Sequence, residues 1–575
     1  MDVKLAKTAG FCMGVRRAVD IVLDIAQHEK KRCIYTYGPL IHNPQTIELL
    51  KRRGIVPIEN IEEIKDKNNA ILIIRAHGIA PAERKKIKES GIKIVDATCP
   101  KVGYVQSIIK KHTSLDYMVI IVGDKEHPEV DGLLGYTGGR GIIISAAEEV
   151  DKLFCHDKVC VVAQTTQNLD DYKRIVHQIK KKCPQAVVFD TICLSTEQRQ
   201  AEVMEMAGEM DAMFVVGGRN SANTRRLADL SQKKQSHTFH IETPGEIEKI
   251  DLIPFNRVGV SAGASTPNWI LDRVMDKITE GQSRKLKTIG FLRNLWIWSI
   301  KTDVYSAVGA GCLSLACMLL QGMSVGMSSI ALAALFVYAM HVLNRLISRE
   351  PAGLLGSFRE EIYLRHENIF LYTSLTSIVV ALILAFNKSL AAFLVLLIVS
   401  TAGVFYSMRI LPKSWIFQSL RDLPGSKNIF MSMAWGIAVS ILPALDKKNP
   451  FDAGLMVCFL FVFGVVIIRS VMSDILEIQS DKLMGKETIP VLFGKARTLT
   501  ILKIISLILF IVLFFSYPLG WTSSLNFLLA ICLLYIWICF MFCDNKPVLS
   551  GAVKEGLLET SYTLAGFCVL LWHVF

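Results

Sequence analysis

Two side chains near the middle of the first half are spaced so that together they could move a proton. His127 and Glu129 flank Pro128 in a polar stretch that follows the apolar run Tyr117 to Val122. Such a run is typical of a buried parallel strand, and α/β domains bind ligands in the loops after such strands. A histidine and a carboxylate held two residues apart can present a hydrogen-bond donor and an acid to one ligand. The alternative interpretation is an ordinary polar loop.

Three cysteines share a position that the other cysteines of the chain do not have. Cys12, Cys99 and Cys193 each follow a short extended run and precede a helical pattern. Three thiols that meet at one point would suit an iron–sulfur cluster in which one iron has no protein ligand. The alternative for each cysteine by itself is a small buried apolar residue, which is the usual role.

Neutral polar side chains and histidines gather at the ends of the predicted strands. In this number they suit a diphosphate, whose oxygens accept many hydrogen bonds. Taken one at a time, each is explained as well by a helix cap or a turn. The candidates are His42, Asn43, His77, His127, Gln164, Thr165, Thr166, Asn220, Ser221, Asn223 and Ser265.

The elements that must position these residues are strands alternating with charged amphipathic helices. That alternation predicts parallel sheets covered by helices, an α/β fold, over residues 1–282. The predicted strands are Cys33 to Tyr37, Ala70 to Ile74, Ile92 to Val95, Tyr117 to Val122, Val159 to Ala163, Ala186 to Phe189, Ala212 to Val216 and Val258 to Val260.

Composition divides the 575 residues into two dissimilar halves. Hydrophobic residues make up 51% and the mean hydropathy is +0.38, but the apolar excess begins only near residue 303. The net charge of +12 is not accompanied by an aromatic-basic motif or by zinc-ligand spacing, so we expect no nucleic acid partner. The N-terminal residues lack the apolar core of a signal peptide, so the cysteines of the first half are expected to be reduced thiols.

The second half predicts an all-α membrane domain at residues 303–575, joined by a basic and aromatic linker at residues 283–302. Most Lys and Arg residues, Arg345 and Arg359 among them, follow the second, fourth, sixth and eighth apolar segments, whereas Lys447 and Lys448 are exceptions. This asymmetry predicts an inner, cytoplasmic membrane with the first half in the cytoplasm. The nine predicted transmembrane helices are 304–323, 326–345, 368–386, 389–408, 428–445, 452–473, 501–519, 524–543 and 557–575.

Three carboxylates follow the sixth of these segments. Asp474, Glu477 and Asp481 are three and four residues apart, so on a helix they would share one face. Carboxylates that face one way repel each other unless they hold a cation, and Mg²⁺ with a diphosphate is the usual guest. An acidic loop at the membrane edge is the alternative.

Residues 1–282 resemble the 4-hydroxy-3-methylbut-2-enyl diphosphate reductases, which catalyse the last step of the methylerythritol phosphate route to isoprenoids. One departure is Ala222, where some members have a second serine. The motifs that carry the resemblance occur in the family's order: Gly10-Phe11-Cys12-x-Gly14-Val15, His42-Asn43, Ala76-His77-Gly78, Asp96-Ala97-Thr98-Cys99-Pro100, His127-Pro128-Glu129-Val130, Gln164-Thr165-Thr166, Asn220-Ser221-x-Asn223 and Ala262-Gly263-Ala264-Ser265.

The resemblance implies three lobes in a pseudo-threefold arrangement around a [4Fe-4S] cluster held by Cys12, Cys99 and Cys193. It also implies an allylic diphosphate substrate and an electron donor such as ferredoxin or flavodoxin. Glu129 corresponds to the proton donor, grouped with His127, Thr165 and Thr166 as catalytic residues. The implied diphosphate ligands are His42, His77, His127, Ser221, Asn223 and Ser265.

The second half resembles the UbiA prenyltransferases, which have nine helices and two acidic motifs. The resemblance implies a Mg²⁺–diphosphate site from Asn344, Asp474, Glu477 and Asp481, and contact with membrane lipid. Ser348 and Ala352 occupy positions where the family has aspartates, so the first motif departs from the pattern.

Three functions therefore compete. The first is a reductase fused to a membrane prenyltransferase, and the second is a reductase on a catalytically silent, lipid-binding anchor. The third, an iron–sulfur electron-transfer or redox-sensing protein, leaves the histidines and hydroxyls unexplained.

Overall fold

The computed structural model describes residues 2–29, 32–282, 289–347, 359–407, 423, 425–445, 447, 450–484, 486–544 and 551–574. The chain divides into two compact units, of which the first comprises residues up to Gln282 and the second most of the residues after it. Ser348, Ala352 and Lys448 lie outside the described residues.

Twelve described strands of the first unit form three four-stranded sheets, and every strand pair is parallel. The three parallel-sheet units predicted for this half are thereby confirmed. The strands are β1 (Asp2–Leu5), β2 (Cys33–Tyr37), β3 (Ile55–Ile58), β4 (Ala70–Ile74), β5 (Lys93–Asp96), β6 (Met118–Val122), β7 (Gly141–Ile144), β8 (Val159–Ala163), β9 (Val187–Val188), β10 (Ala212–Val216), β11 (Thr238–Ile241) and β12 (Arg257–Ala262).

The three sheets share one topology. Their orders are β3-β2-β4-β5, β7-β6-β8-β9 and β11-β10-β12-β1, so in each sheet the second strand lies outside the first and the fourth outside the third. The N-terminal strand β1 takes the fourth place in the sheet of the C-terminal strands. Corresponding loops therefore recur three times, and each strand of a parallel sheet ends at the same edge as its neighbours.

Helices cover both faces of these sheets. Alternate residues of β6 belong to different cores, Ile120 and Val122 to one and Val119 and Ile121 to the other. This two-sided burial explains why the central strands are continuous apolar runs. The helices are α1 (Met13–His28), α2 (Pro44–Arg52), α3 (Pro81–Glu89), α4 (Pro100–Thr113), α5 (Pro128–Leu134), α6 (Leu169–Lys182), α7 (Leu194–Glu209), α8 (Ala222–Lys234) and α9 (Asn268–Gln282), with short 3₁₀ helices at Ile61–Glu63, Gly135–Thr137, Ala147–Lys152 and Pro244–Lys249.

One cysteine pair departs from the expectation of reduced thiols. Cys155 and Cys183 form a disulfide, with their Cα atoms 5.6 Å apart, which is the usual separation for this bond. The prediction is wrong for this pair because folding brings the end of α6 beside a loop that lies 28 residues earlier in the chain. Cys12, Cys33, Cys99, Cys160 and Cys193 are free.

The described part of the second unit is helical. Its helices are α10 (Ile289–Lys301), α11 (Val304–Leu320), α12 (Met327–Ile347), α13 (Glu360–Arg365), α14 (Glu367–Lys388), α15 (Leu390–Ser407), α16 (Ser426–Gly436), α17 (Leu442–Ala444), α18 (Ala453–Leu476), α19 (Ile478–Met484), α20 (Ile489–Phe493), α21 (Lys495–Ser516), α22 (Leu525–Asp544) and α23 (Gly551–Val574), with a π-helical turn at Ile437–Ile441 between α16 and α17.

Six helical segments within the described residues are long and apolar enough to cross a membrane, so the chain is membrane-integral. A bent pair, Phe291–Lys301 with Val304–Leu320, makes a seventh if it is counted as one span, and the two parts meet at 85°. Leu390–Tyr406 and Leu525–Met541 are shorter apolar helices. The six segments are Met327–Ile347, Glu367–Lys388, Ser426–Ala444, Ala453–Leu476, Lys495–Ser516 and Gly551–Val574.

Candidate active site

Three histidines from different loops of the first unit lie together. His42 follows β2, His77 follows β4 and His127 follows β6, so each lies beyond the carboxyl end of a central strand. The ring centroids of His42 and His77 are 4.7 Å apart, and His127 lies 5.7 and 5.6 Å from them. Nitrogen atoms of all three rings lie within 4.8 Å of one another, so they can bind the same ligand.

The three imidazoles are held in the neutral form. The pKa of His127 falls to about 4, chiefly because burial disfavours the charged ring and further because His42 lies near it. The pKa values of His42 and His77 are lowered by burial and then by neighbouring charges, including Arg75. Nε2 of His42 and Nδ1 of His77 are buried without a hydrogen-bond partner in the described part of the chain. These orphaned atoms indicate a ligand rich in hydrogen-bond acceptors, or a metal ion.

Helix caps hold the backbone at His42 and at His127. Asn43 caps α2, because its Oδ1 accepts the backbone N–H of Thr46 at 2.8 Å and its hydroxyl at 2.7 Å. His127 caps α5, and its Nδ1 accepts the backbone N–H of Glu129 at 3.1 Å. Nδ1 of His127 is therefore an acceptor, which leaves its Nε2–H free to donate to a ligand.

Glu129 is almost completely buried, with 2% of its surface exposed. The backbone N–H of Thr165 donates to its Oε1 at 2.7 Å, and the Thr165 hydroxyl donates to its Oε2 at 3.0 Å. Burial raises the pKa of Glu129, whereas the two bonds from Thr165 oppose this shift. A buried carboxyl group with a raised pKa is suited to general acid catalysis. Thr166 lies beside it, and its hydroxyl accepts from Gln164 at 3.1 Å.

The remaining predicted diphosphate ligands come from the third lobe. Ser265 donates from its hydroxyl to the backbone carbonyl of His42 at 3.1 Å, which joins the β12 loop to the β2 loop. Ser221 caps α8 by accepting the backbone N–H of Thr224. Nδ2 of Asn223 is buried and has no hydrogen-bond partner among the described residues. Like the histidines, Asn223 therefore has an unused donor.

The three cysteines occupy equivalent places in the three lobes. Cys12, Cys99 and Cys193 follow β1, β5 and β9, the fourth strand of each sheet, and each is the N-cap of a long helix. A helix N-terminus favours the thiolate that a metal requires. Burial raises the pKa of the Cys99 thiol, and Cys12 and Cys193 lie near enough to raise it further. A Cβ at Gly14, two residues after Cys12, would lie 2.5 Å from Sγ of Cys99, so the loops of these two cysteines are packed against each other.

Backbone hydrogen bonds connect the cysteines to the polar loops. The N–H of Cys99 donates to the carbonyl of Ala76 at 2.9 Å, directly before His77. The N–H of Cys193 donates to the carbonyl of Thr165 at 2.9 Å, and that of Cys12 donates to the carbonyl of Ala264 at 3.1 Å. A ligand bound by the polar loops would consequently lie close to the thiols.

Two arginines that the sequence patterns missed support this site. Arg226 donates to the carbonyl of Thr166 at 2.9 Å and to the carboxylate of Asp124 at 2.5 Å, so α8 holds the β6 and β8 loops. Arg199 is buried and donates to the carbonyls of Ala262 and Gly10 at 3.0 and 2.6 Å. Nothing in the neighbouring sequence distinguishes either arginine from the other charged residues of its helix.

The membrane unit has a second cluster of acidic groups. Asp474 is buried at the end of α18 and accepts from Nζ of Lys427 at 3.2 Å and from Nδ2 of Asn428 at 2.8 Å. Asp481 in α19 is buried, and its Oδ2 has no hydrogen-bond partner among the described residues. Burial, followed by repulsion from Asp474 and Glu477, raises the pKa of Asp481 to about 7. Asn344 lies in the last turn of α12, and its part in a metal site stays a prediction.

A network of buried ion pairs in this unit was also missed. Arg345 binds Asp303 through two hydrogen bonds of 2.7 and 3.0 Å, and the Tyr363 hydroxyl donates to the same carboxylate at 2.7 Å. Arg345 was predicted only as one of the basic residues after the second apolar segment, but it also forms a salt bridge with buried Asp303. Arg359 pairs with Glu559 at 3.1 Å, and a further pair joins Arg469 to Glu555 at 2.6 Å. An arginine such as Arg469 inside an apolar segment is a signal that could have been read, because such charges are rarely without function.

Comparisons with known proteins agree with this division into two units. The model of the LytB protein family matches residues 3–279, and that of the UbiA prenyltransferase family matches residues 364–547. A 4-hydroxy-3-methylbut-2-enyl diphosphate reductase of Aquifex aeolicus is 41% identical over 283 residues, which are 49% of this chain and 96% of that protein. A protein of the same name from Pelobacter propionicus is 43% identical over 280 residues, 49% of this chain and 98% of that protein.

Among solved structures, one of (E)-4-hydroxy-3-methyl-but-2-enyl diphosphate reductase, described as the terminal enzyme of the non-mevalonate pathway, is 39% identical. It covers 49% of this chain and 100% of its own, with a TM-score of 0.39.

Proposed function

The chain belongs to the LytB protein family, and from this premise we propose that its first unit is a 4-hydroxy-3-methylbut-2-enyl diphosphate reductase. It removes the allylic hydroxyl of the substrate and gives isopentenyl and dimethylallyl diphosphate. The observation that supports this most directly is the set of backbone bonds by which Cys12, Cys99 and Cys193 are joined to the polar loops. Chemistry at the thiols would then occur beside a pocket that binds diphosphate.

The cysteines fit a [4Fe-4S] cluster because three convergent thiols at helix N-termini leave one iron of such a cluster without a protein ligand. When bound, such a cluster would pass on two electrons from an external donor, one at a time, and would supply a Lewis-acidic iron for the oxygen that leaves. Buried Arg199, close to Cys12 and Cys193, provides a positive charge that offsets the thiolates.

The protein's own residues hold the substrate and move the proton. His42, His77 and His127, together with Ser221 and Asn223, donate hydrogen bonds to the diphosphate, which needs many donors. Ser265 adds a further donor when its hydroxyl turns from the carbonyl of His42 to the diphosphate. Since the three histidines are neutral, the ring N–H groups bind as donors while the rings add no charge of their own.

Glu129, oriented by Thr165, delivers a proton to the departing oxygen so that water leaves instead of hydroxide. Thr166 is adjacent to Thr165, beside the acid. The Nε2–H of His127 is the donor that this histidine presents to the ligand. In the balanced reaction, the C–O bond breaks, two electrons and two protons are taken up, and water and the C₅ diphosphate are formed. One proton is in the water and the other is on an allylic carbon.

Anaerobic purification of the full chain tests this function. We expect about four iron atoms per chain, and consumption of (E)-4-hydroxy-3-methylbut-2-enyl diphosphate with dithionite-reduced methyl viologen as reductant. Mass spectrometry should detect both C₅ diphosphate products. A chain that holds iron but leaves the substrate unchanged would favour the electron-transfer or redox-sensing alternative.

Gly14 offers a test of how closely the cysteine loops pack. A Cβ at Gly14 would lie 2.5 Å from Sγ and 3.2 Å from Cβ of Cys99, so Gly14→Ala should displace this thiol. We expect iron affinity to fall by about tenfold, as for other outer-shell changes at metal sites. Gly208→Ala is the matched control, because a Cβ at this helical glycine would have no atom within 4 Å. Equal iron retention by the two variants would contradict the packing argument.

For the second unit, we propose nine spans, made up of the six long segments, helix α11 of the bent pair and the two shorter apolar helices. The basic residues after alternate segments support a location in the cytoplasmic membrane with the reductase in the cytoplasm. The aromatic helix α10, at 85° to α11, suits a position along the membrane surface.

We also propose that this unit is a prenyltransferase that binds Mg²⁺ and a prenyl diphosphate through Asn344, Asp474, Glu477 and Asp481. The unpartnered Oδ2 of buried Asp481 supports a cation there. The alternative, a silent lipid-binding anchor, is supported by the ion pair between Asp474 and Lys427, which already neutralises one proposed ligand.

Substitution of Asp481 distinguishes these two functions. Asp481→Asn in the full chain should weaken Mg²⁺-dependent binding of geranyl diphosphate by about tenfold or more, because one anionic ligand is lost. Glu487→Gln, which removes a carboxylate from the same segment, should bind as the unsubstituted chain does. If the unsubstituted chain binds geranyl diphosphate no better with Mg²⁺ than without it, the anchor is the correct function.

A further inference from the structure

Large apolar side chains are exposed next to the cysteines of the first unit. Met13, which directly follows Cys12, is 77% exposed, and Leu194, which directly follows Cys193, is 63% exposed. Tyr104, in the second turn of the helix that Cys99 caps, is 52% exposed. Single exposed apolar residues are ordinary on protein surfaces, but here each of the three helices that begin at a site cysteine has one near its start.

Basic side chains accompany these apolar ones. Arg16 and Arg17 are exposed in the first turns of α1, and Lys101 lies with its Nζ 5.5 Å from the ring of Tyr104. Arg16 forms no ion pair with any residue that the structure describes. Arg17 donates to the carbonyl of Thr98 at 3.1 Å, directly before Cys99. Glu197 is the acidic residue in the first turn of α7, so positive charge exceeds negative charge at these helix starts.

We propose that Met13, Tyr104, Leu194, Arg16, Arg17 and Lys101 form the docking surface for an acidic electron-carrier protein. We call these six residues the donor surface. The proposal rests on the proposed reductase function, which requires electrons to reach the thiol site from outside the chain. An apolar centre with a basic rim is complementary to a partner with an acidic rim, and such charges raise the association rate.

The position of the donor surface favours a redox partner over a membrane. Electron transfer requires a short path, and each helix that contributes to the surface begins at one of the three cysteines. Contact with anionic lipid would need positive charge but no relation to the thiols. In each turnover, two one-electron carriers are oxidised, the substrate's C–O bond breaks with uptake of these two electrons and two protons, and water leaves.

Charge reversal tests the donor surface in the full chain. The double variant Arg16→Glu and Lys101→Glu should raise the KM for a reduced acidic ferredoxin by about tenfold or more and remove its dependence on salt concentration. Direct binding of oxidised ferredoxin should weaken to a similar degree. Iron content and turnover with reduced methyl viologen should not change, because this small reductant needs no docking surface. Lys110→Glu with Lys111→Glu, an equal charge change at the far end of α4, should leave the ferredoxin KM unchanged.

Three other results of the charge-reversal experiment would lead to different conclusions. If the ferredoxin KM and binding are the same in both double variants, the donor surface is wrong, whatever the viologen assay shows. If the reversal weakens binding to phosphatidylglycerol vesicles but not to ferredoxin, the surface contacts membrane and the proposal is overturned. If the unsubstituted chain fails to convert the substrate even with viologen, the reductase function fails instead.

Discussion

Replacing Cys99 with serine should remove the cluster and reduce turnover to the background rate. A serine hydroxyl is a much weaker ligand for iron than a thiolate, and Cys99 is one of the three cysteines that we propose as ligands of the cluster. We expect the loss of turnover to exceed about a hundredfold, since even the loss of an outer-shell partner costs about ten- to a hundredfold. Iron and sulfide content, the visible absorbance and the viologen-driven rate measure this after anaerobic purification.

Cys33→Ser is the control for that variant. Cys33 is a free, exposed cysteine of the same unit and lies in strand β2, away from the helix N-termini that the three site cysteines cap. It should keep both its iron and its turnover. If Cys99→Ser retains iron and activity equal to those of Cys33→Ser, the cysteines are ordinary core residues and the reductase assignment is wrong.

Glu129→Gln should retain the cluster and lose most of the turnover. Glutamine preserves the size of the side chain and can still accept the N–H of Thr165, but it has no acidic proton to deliver. Removal of a general acid typically lowers the rate by about 10²- to 10⁴-fold. The loss should appear in kcat, while the KM for the allylic diphosphate stays close to that of the unsubstituted chain, because the diphosphate ligands are unchanged.

Asp131→Asn provides the matched comparison for Glu129. Asp131 lies two residues further along α5 and is exposed, whereas Glu129 is buried. We expect Asp131→Asn to turn over normally. A kcat for Glu129→Gln that equals the kcat of this control would remove Glu129 from the role of proton donor, and the buried carboxyl would then have a structural role.

The central strands could be predicted from the sequence because each is buried on both faces. All five residues of β4, β6, β8 and β10 are buried, so each is a continuous apolar run. Strands β1, β3, β7 and β11 were missed. All four lie at sheet edges, and in β3 one of the four residues is exposed and another half-buried. A strand with one paired side and partial exposure has no continuous apolar signal.

The sequence predicted which residues at the strand ends belong to the candidate site, but it did not predict the hydrogen bonds between them. The family motifs name Glu129 and Thr165, whereas their two hydrogen bonds depend on loops from different strands. Arg226 was missed because a single arginine in an amphipathic helix is typical of a solvated face. Only the packing of α8 brings it to Asp124 and Thr166.

Local chain properties therefore determined the two-part division, the parallel sheets, the apolar membrane segments and the chemical types at the site. Runs of apolar residues, turns and motifs act over a few positions, and such signals are readable along the chain. Tertiary structure alone decided which distant groups meet: the cysteine loops with the polar loops, the three histidines, the Cys155–Cys183 disulfide and the ion pair of Asp303 with Arg345. Those meetings depend on the order of strands and on helix packing, which bring together positions that have no local pattern in common.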